Sequence, residues 1–538
     1  MKQMTCKLRH LMLGMTAVIM AVLTSCSSGN GELLELIPAK VDYVGIFNMK
    51  KFAVESGIEL KGNDFMLPDG LSQYDDQIPD EIRDIIGTIM QSIDIEHIAI
   101  FGKLPLGTAS TDFYVLTKVT DQKKLTDLLE NEAGLDAEKE DGAIVYNMGH
   151  GGLVIRDDMA WITTNAKNPG RAVERMIDKA KDRSMADENA IAQILSGDNI
   201  TSYAYRMETF ADMCSMLAAI QPEFAAASSA LKGFKDYWMV STGNIKDKIS
   251  TGETRLMTSD GKILENPYAR DVDASFLKYV PEDFYASAAI GIDPKTVENI
   301  LGVIDNFKKN MSDSEKQSYE KIVPYVKSID GTLSLSIGMP TDKAITQIEP
   351  EDIRFMASLQ FKPGKAKAFV AELTDMLKQE LAGDTSITYS AGRIEANIPM
   401  SYRRSMHITL MAENDMLILA NIPVNAGSPN STFASCFNDA TAGVVINVPS
   451  FAALTNGNCR FGAMLESHLT ENALKGMFKF IDSDLTLAGS IYELGYAFYQ
   501  TFEADRKNRY AYSYDYDDYD DIPVVIEEVE EVDSVVYY

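Results

Sequence analysis

The sequence predicts an α+β protein made of two tandem, similar domains, each a mainly antiparallel sheet covered by amphipathic helices. Three observations support this fold class. Apolar and polar residues alternate in stretches such as "YWMVSTGNIKDKISTGETRLM" from Tyr237 and "DLTLAGSIYELGYAF" from Asp484, which is typical of strands with one buried face. Other stretches repeat apolar residues at helical spacing, and similar segments recur in the same order in the two halves of the chain.

The helices are predicted from apolar stripes and from cap chemistry. In "EIRDIIGTIMQSI" from Glu81, isoleucines recur every three or four residues, so one side of a helix is apolar. Asp293-Pro294 combines an acceptor side chain with a proline at the tolerated first position of a helix. The run Ser312 to Glu315 matches a capping box. Short turns between neighbouring strands favour antiparallel pairing over a doubly wound parallel sheet.

The internal repeat is predicted from paired segments. "LIPAKVDYVGIFNM" around Pro38 parallels "YVPEDFYASAAIGI" around Pro281, and the same separation relates the two "ALKG" segments that begin at Ala230 and Ala473. The turn-and-strand segments at Asp158 and Asp415 are further apart than that. We therefore expect an insertion around residues 400–406 of the second copy, offset by a shorter stretch after residue 421.

Composition shifts set the predicted boundaries. The polar join at residues 259–278 contains Gly261 and Pro267, and the repeat pattern ends near Asp505. The predicted organisation is a signal peptide at residues 1–25, a tether at 26–36, repeat 1 at 37–258, a linker at 259–278, repeat 2 at 279–505 and an acidic tail at 506–538.

The N-terminus predicts a lipid anchor. The apolar run "LMLGMTAVIMAVL" is shorter than the roughly 20 residues of a bilayer span and follows a short basic start, as in a signal peptide. It ends in Leu23-Thr24-Ser25-Cys26, which resembles the bacterial lipoprotein signal. That resemblance implies diacylation of Cys26, such as palmitoylation, and attachment without a span. Ser27 in place of an Asp implies the outer membrane, on either its periplasmic face or the cell surface.

The charge of the chain limits its partners. The formal net charge of −29 becomes −32 once Lys2, Lys7 and Arg9 leave with the signal. Such a field repels phosphate backbones, so no nucleic-acid partner is expected. An anionic lipid surface is equally unfavourable, so we expect the acyl chains to be the membrane contact.

Three cysteines remain after Cys6 leaves with the signal and Cys26 is acylated: Cys214, Cys436 and Cys459. An odd number allows at most one internal disulfide in an oxidising compartment. Cys436 and Cys459 are the nearest pair in sequence. The alternative is three buried thiols.

Candidate binding residues are few. The carboxylates Asp515, Asp517, Asp518, Asp520 and Asp521 in the tail form a weak candidate cation site, although the glycine and closing glutamate of an EF-hand loop are missing and a solvated acidic tail is the favoured interpretation. Arg403 and Arg404 are a weak candidate for anion binding. His150 lies among glycines in "MGHGGL", which we interpret as a hairpin turn. The histidines are scattered and no phosphate-binding loop is present, so neither a catalytic set, a metal site nor a cofactor is predicted.

The lipoprotein signal, the duplicated α+β body and the acidic end together resemble the uncharacterised lipoproteins of Bacteroidetes, a family of unknown function. The resemblance implies a membrane-anchored envelope protein with a non-enzymatic binding or scaffold role toward an envelope protein or a glycan. The alternative is a hydrolase of glycan or cell wall that uses two carboxylates. A cleft between the copies with two converging Asp or Glu side chains would favour the hydrolase, and an open surface would favour binding.

Overall fold

The computed structural model describes residues 31–61, 64–67, 78–104, 112–221, 228–229, 231–265, 270–307, 311–340, 342–381, 385–401 and 404–514. The strands of the first half are β1 (Tyr43–Phe47), β2 (Glu59–Lys61), β3 (Asp64–Met66), β4 (Ile93–Lys103), β5 (Asp112–Val119), β6 (Ala137–Glu140), β7 (Ala143–Asn147), β8 (Gly152–Arg156), β9 (Met159–Thr163), β10 (Thr201–Arg206), β11 (Tyr237–Lys246) and β12 (Ile249–Thr258). Those of the second half are β13 (Ala286–Ile292), β14 (Ile329–Gly338), β15 (Arg354–Phe361), β16 (Ile387–Ser390), β17 (Arg393–Ser401), β18 (Arg404–Glu413), β19 (Met416–Ala420), β20 (Ala442–Val448), β21 (Gly462–Leu469) and β22 (Leu474–Ile481).

The helices of the first half are α1 (Gly31–Glu35), α2 (Met49–Glu55), α3 (Asp80–Ser92), α4 (Gln122–Asp127), α5 (Pro169–Asp182), α6 (Asn189–Leu195) and α7 (Met207–Ile220). Those of the second half are α8 (Pro294–Phe307), α9 (Asp313–Val326), α10 (Lys365–Glu380), α11 (Ser431–Phe437) and α12 (Leu487–Tyr514). The predicted starts of α8 and α9 are confirmed, and the Lys295 N–H donates to Asp293 Oδ1 at 2.7 Å. In the part of the chain that the structure describes, no helix is both long and apolar enough to cross a bilayer.

One large antiparallel sheet runs through both halves, which confirms the α+β class. The first-half strands pair in the order β6-β7-β8-β9-β5-β4-β1-β10-β11-β12. The second-half strands pair in the order β16-β17-β18-β19-β15-β14-β13-β20-β21-β22. The edge strands β12 and β22 pair with each other, from Ile249 opposite Lys479 to Thr254 opposite Leu474, and so join the two series into a 20-stranded sheet. The short strands β2 and β3 form a separate hairpin.

Each half has its own main core on one face of the sheet. In the first half, α5 and α6 pack Val173, Met176 and Ile191 against strand residues such as Phe101 and Trp161. In the second half, a 3₁₀ helix at Ala274–Tyr279 and helix α11 pack Phe276, Phe433 and Phe437 against Met356 and Ile418. We call this helix-covered side of the sheet the core face and the other side the second face.

Both halves begin earlier than predicted. Leu33 and Leu34 of α1 are buried in the first core, so the predicted tether at residues 26–36 is wrong from residue 31 onward. Likewise Phe276 and Leu277, placed in the predicted linker at 259–278, are buried in the second core. The reason is that a short helix can bury two adjacent apolar residues without any periodic pattern that would mark it in the sequence.

The predicted strand in "DLTLAGSIYELGYAF" is wrong, because this segment forms helix α12. Its buried residues Leu487, Ser490, Ala497 and Thr501 have helical rather than alternating spacing. The helix also continues to Tyr514, past the predicted end of repeat 2 at residue 505.

The prediction that the two "ALKG" segments are equivalent positions of a repeat is also wrong. The first precedes β11 and contains the start of a 3₁₀ turn at Lys232–Phe234, whereas the second begins in the turn before β22 and runs into that strand. The hairpin that closes the second series is therefore β21–β22, and its counterpart in the first series is β11–β12. A four-residue match was too short to distinguish a repeat from coincidence.

Candidate functional site

The second face of the sheet is exposed and apolar in the second half of the chain. Side chains alternate along each strand, so Ala289, Met356 and Val445 point into the core and their neighbours point to the second face. Six of the aliphatic residues there, which lie on β13, β14, β20 and β21 and are 39–47% exposed, are called the apolar face: Ile290, Leu333, Leu335, Val444, Ile446 and Leu465.

These six side chains form one continuous surface, because strand register places them side by side. Leu335 of β14 lies between Ala288 of β13 and Ala357 of β15, and Ala288 in turn lies opposite Val444 of β20. Ile290 lies opposite Leu333 in the row on one side of this middle row, and Ile446 lies opposite Leu465 in the row on its other side. Directly opposite side chains have Cβ atoms about 5 Å apart, so the residues contact across strands. Large contiguous apolar patches of this kind are uncommon on monomeric proteins and usually mark interaction sites.

Helices border the apolar face at two ends. Ala497 of α12 is buried in a small cluster with Phe451 and Phe461, against which Val448 and Phe480 pack. At the opposite end, Val297 and Leu301 of α8 are buried, and α8 packs against β14. The exposed surface therefore lies between α8 and α12, directly on the sheet.

A groove of about 410 Å³ adjoins the apolar face where the two strand series meet. We call it the junction groove. Its lining includes Thr201, Ser241 and Thr254 from the first half and Leu465, Leu474 and Phe478 from the second half. The Ser241 and Thr254 hydroxyls are hydrogen-bonded to each other at 2.6 Å.

Three glycines form the floor of the junction groove. Gly243 lies opposite Gly252 in the β11–β12 pair, and Gly252 lies opposite Gly476 in the β12–β22 pair. A Cβ atom at Gly252 would be 3.5 Å from the nearest heavy atom, and one at Gly476 would be 3.7 Å away. Neither glycine is therefore required by local packing, and both register pairings are regular. Glycine in a strand interior weakens the strand and is typical of places that another molecule approaches closely.

One row of residues on the second face changes in polarity from the junction of the two halves into the second half. From β10 to β12 the row through the groove contains Thr201, Gly243 and Gly252, and it continues through Gly476 and Ser467 in β22 and β21. Beyond that point, from β20 to β15, the row contains only Val444, Ala288, Leu335 and Ala357. This row is thus made of hydroxyl-bearing residues and glycines at the junction, where Leu474 and Phe478 of the groove flank it, and of aliphatic residues further into the second half.

Two carboxylates, Glu253 and Glu466, lie along the strands of the groove. Because side chains alternate, both project to the core face, opposite the glycine floor. Glu253 forms an ion pair with Arg255, and Glu466 accepts a hydrogen bond from Ser435 Oγ at 2.9 Å. Glu253 and Arg255 also line a separate depression of about 370 Å³ on the α6 side. The described residues therefore do not place these two carboxylates in the groove as an acid and base pair.

Most of the predicted site residues lie outside the described part of the chain. This applies to Cys26, to Arg403 and to the five tail aspartates, Asp515, Asp517, Asp518, Asp520 and Asp521. Arg404 begins β18, and only its backbone is described. Among the described residues there is no group of three His, Cys, Asp or Glu side chains that could hold a metal ion. The hairpin at His150 is confirmed, with the Met148 N–H donating to the Gly151 carbonyl at 2.9 Å between β7 and β8.

Cys214, Cys436 and Cys459 are free thiols. Cys436 belongs to the main core of the second half and Cys459 to the cluster under α12, so the disulfide between them is not formed. Cys214 is only half-buried, which departs from the alternative of three buried thiols. Burial raises the pKa of Cys436 and of Cys459 to about 11, so both thiols stay protonated and unreactive at neutral pH.

Sequence reasoning did not identify the apolar face or the junction groove. The strands that form the face have the same alternation as strands of a covered sheet, so the pattern does not distinguish a buried face from an open one. One signal was present in the sequence: glycines in the middle of β12 and β22, at residues 252 and 476. Only the strand register shows that they face each other.

Comparison with known proteins gives no family. No family model and no curated protein matches the chain. The solved structures of TP0453 in crystal forms III and I are similar to part of it, with TM-scores of 0.26 and 0.25 and sequence identities of 11% and 10%. These matches cover 43% and 44% of this chain and 81% and 82% of the TP0453 chain.

Proposed function

We propose that this protein is a lipid-anchored cell-envelope protein with a non-enzymatic binding role, built from two tandem copies of one α+β unit. The observation that carries the binding role is the apolar face, six exposed aliphatic residues that are contiguous through strand register. Removing such a surface from water on binding supplies the main free energy of association.

Support for the tandem copies comes from strand order. Without the β2–β3 hairpin, the two series have the same strand order. For example, β1 lies between β4 and β10, and β13 lies between β14 and β20. Each series also opens with a short helix that buries two adjacent apolar residues, Leu33 and Leu34 in one and Phe276 and Leu277 in the other. The β17–β18 hairpin is longer than β7–β8, in agreement with the insertion expected around residues 400–406.

Support for the anchor comes from the sequence and from the position of the first segment that the structure describes. Four residues separate Cys26 from α1, whose Leu33 and Leu34 belong to the first core. An extended chain spans at most about 3.5 Å per residue, so acyl chains on Cys26 would hold the first half within roughly 20 Å of the membrane surface.

The binding role is tested with a neutral apolar fluorophore, 1-N-phenylnaphthylamine, titrated into the purified full chain. We expect saturable fluorescence enhancement by the native protein. Leu335→Gln combined with Val444→Thr should weaken the apparent affinity at least about tenfold, because about 1.4 kcal/mol of lost burial corresponds to a factor of ten.

The matched control is Ile398→Thr. Ile398 is 44% exposed and Leu335 is 45% exposed, so the two side chains are equally accessible. Ile398 lies in β17, outside the apolar face. This variant should bind the fluorophore as the native protein does. Absence of saturable binding, or equal binding by the double variant and the native protein, would contradict the proposed role.

The anchor is tested separately with Cys26→Ala. We expect the native chain in the membrane fraction and the variant in the soluble fraction, because no acyl chain can then be attached. Recovery of the variant with the membrane would contradict lipid anchoring at Cys26.

A further inference from the structure

We propose that the apolar face and the junction groove together bind one lipid molecule that carries no net charge, with its acyl chain along the apolar face and its polar group in the groove. This assignment rests on the proposed binding role of the apolar face and names its ligand.

The side-chain chemistry of the apolar face favours hydrocarbon over a protein partner. All six exposed residues are Ile, Leu or Val, and none is Trp, Tyr or Arg. Protein interfaces concentrate their binding energy in Trp, Tyr and Arg, whereas Leu and Val are under-represented among their hot spots. A surface made only of branched aliphatic groups is suited to an acyl chain, which needs no directional contact.

The dimensions of the surface fit an acyl chain. Five adjacent strands, β21, β20, β13, β14 and β15, contribute aliphatic side chains to the rows of the second face. With neighbouring strands about 4.8 Å apart, a row across them is roughly 19 Å long. One leaflet of a bilayer has a hydrocarbon thickness of about 15 Å, half of the roughly 30 Å core. A row therefore accommodates one extended chain.

The polarity gradient sets the direction of the ligand. The aliphatic rows meet the junction groove at β21 and β22, where Ser467 and Gly476 lie beside the apolar Leu474 and Phe478. Thr201, Ser241 and Thr254 then provide hydroxyl groups on the same face. An amphipathic molecule that lies along a row thus has its polar end at the junction of the two halves.

The glycine floor gives that polar end room. The positions at which Gly252 and Gly476 would carry side chains are sterically open, so a ligand group can approach the backbone there. The chain has a formal net charge of −29, which disfavours an anionic headgroup and favours a zwitterionic or uncharged one.

The test is photo-crosslinking of the full chain in the envelopes of the cells that make it. The residue p-benzoylphenylalanine replaces Leu335 in one variant, Val444 in a second and, as the control, Ile398 in a third. After irradiation, the mass of each purified protein shows whether a lipid or a protein has been attached. We expect a lipid adduct at positions 335 and 444, at least fivefold more abundant than at 398.

Each alternative result of the crosslinking overturns a stated part of the proposal. A protein adduct at 335 and 444 in place of a lipid would overturn the lipid assignment and leave the binding role of the face intact. No adduct above the level at 398 would overturn both. A lipid with a net negative charge in the adduct would overturn the headgroup assignment.

A groove-filling variant tests the orientation. Gly476→Val places a branched side chain on the floor without a clash at its Cβ, and valine is favoured in strands, so the fold should be retained. Combined with the crosslinker at 335, it should lower the yield of lipid adduct at least fivefold while the melting temperature stays within a few degrees of the native value. An unchanged yield would show that the groove does not hold the polar end.

Discussion

Among the described residues, the second face of the sheet is covered around Ile100 in the first half of the molecule and open around Leu335 in the second half. Ile100 lies between Gly45 of β1 and Val115 of β5, and Leu335 has the matching position between strands β13 and β15. Ile100 is 4% exposed, whereas Leu335 is 45% exposed. The two strand series have the same order, but at this position the second face is buried in the first series and exposed in the second.

The difference comes from the segments that connect the strands. In the first half, helix α2 places Met49 over Phe47, Ile98 and Ile100, and helix α7 follows β10. Phe210 of α7 packs against Tyr205 with ring centroids 6.2 Å apart. In the second half, the segment between β20 and β21 is short and contains only turns, and its Phe451 packs under α12 near the end of β20 and the start of β21.

The second half leaves the strands around Leu335 uncovered on one face while the other face of these strands is packed. The main core of the second half lies on the core face, around Phe276, Met356 and Phe433, and helix α10 covers another part of the second face, at Phe361 and Ile394. Around Leu335, the buried residues lie on the core face and the proposed binding surface lies on the second face. This separation makes the two halves respond differently to the same substitution.

The largest expected contrast is between Ile100→Ala and Leu335→Ala. The first should lower the free energy of unfolding by about 2–5 kcal/mol, because it leaves a cavity in a packed cluster. The second should cost less than about 1 kcal/mol, because the side chain is already half in water. Chemical denaturation of both variants checks this. Similar losses for the two would show that the faces are equally covered.

The next contrast concerns two glycines of the second half. Gly291→Ala should destabilise the protein by about 1–3 kcal/mol, because its Cβ would be 2.0 Å from the Arg270 carbonyl oxygen. Gly476→Ala should be neutral or stabilising by a few tenths of a kcal/mol, because its Cβ position is open. Thermal melts of the two variants measure the difference. A large loss at Gly476 would mean that its glycine has a structural role after all.

A smaller effect is expected at alkaline pH, and it should come from the first half. Burial, with smaller contributions from Tyr205 and Asp42, raises the pKa of Tyr43 to about 12 from its usual 10.0. The folded state therefore holds this proton more tightly than the unfolded state, so the contribution is complete below pH 10 and is lost as the pH rises from 10 toward 12.

Tyr43→Phe should reduce that alkaline loss by about 1 kcal/mol, as measured by denaturation at pH 9 and at pH 11.5. The exposed Tyr499→Phe is the control and should leave the profile unchanged. The matching position in β13 is Ala286, so the second half has no counterpart to this group. A pH profile that is identical in the native protein and in Tyr43→Phe would contradict the assignment.

The smallest expected effect is in thiol reactivity. In a chain cleaved and acylated at Cys26 as proposed, the half-buried Cys214 should be the one thiol that reacts with a disulfide reagent at pH 8 in the folded protein. Cys436 and Cys459 should react on the order of 100-fold more slowly, because burial raises the pKa of each to about 11. Counting the titrated thiols before and after denaturation measures this. Rapid reaction of all three would show that the second-half cores open readily.

Much of the fold could be predicted from the sequence, because strand alternation, helix stripes and caps are local signals. The helix starts at Asp293-Pro294 and Ser312, the hairpin at His150 and the antiparallel α+β class all follow from such signals. Helix α12 was missed because its glycines, tyrosines and leucines fit alternation as well as helical spacing. The apolar face was missed for a different reason: whether a face is covered depends on long-range packing of the connecting segments, which periodicity does not encode.

The most direct test of the account is native mass spectrometry of the full chain, extracted from envelopes in mild detergent. We expect a non-covalently bound lipid of no net charge in the native protein and in Ile398→Thr, released on collisional activation. The triple variant Leu335→Gln, Val444→Thr and Ile446→Thr should have lost it while retaining its fold. A native protein free of bound lipid, or a triple variant that retains the lipid, would contradict the claim that the open face of the second half is a lipid-binding surface.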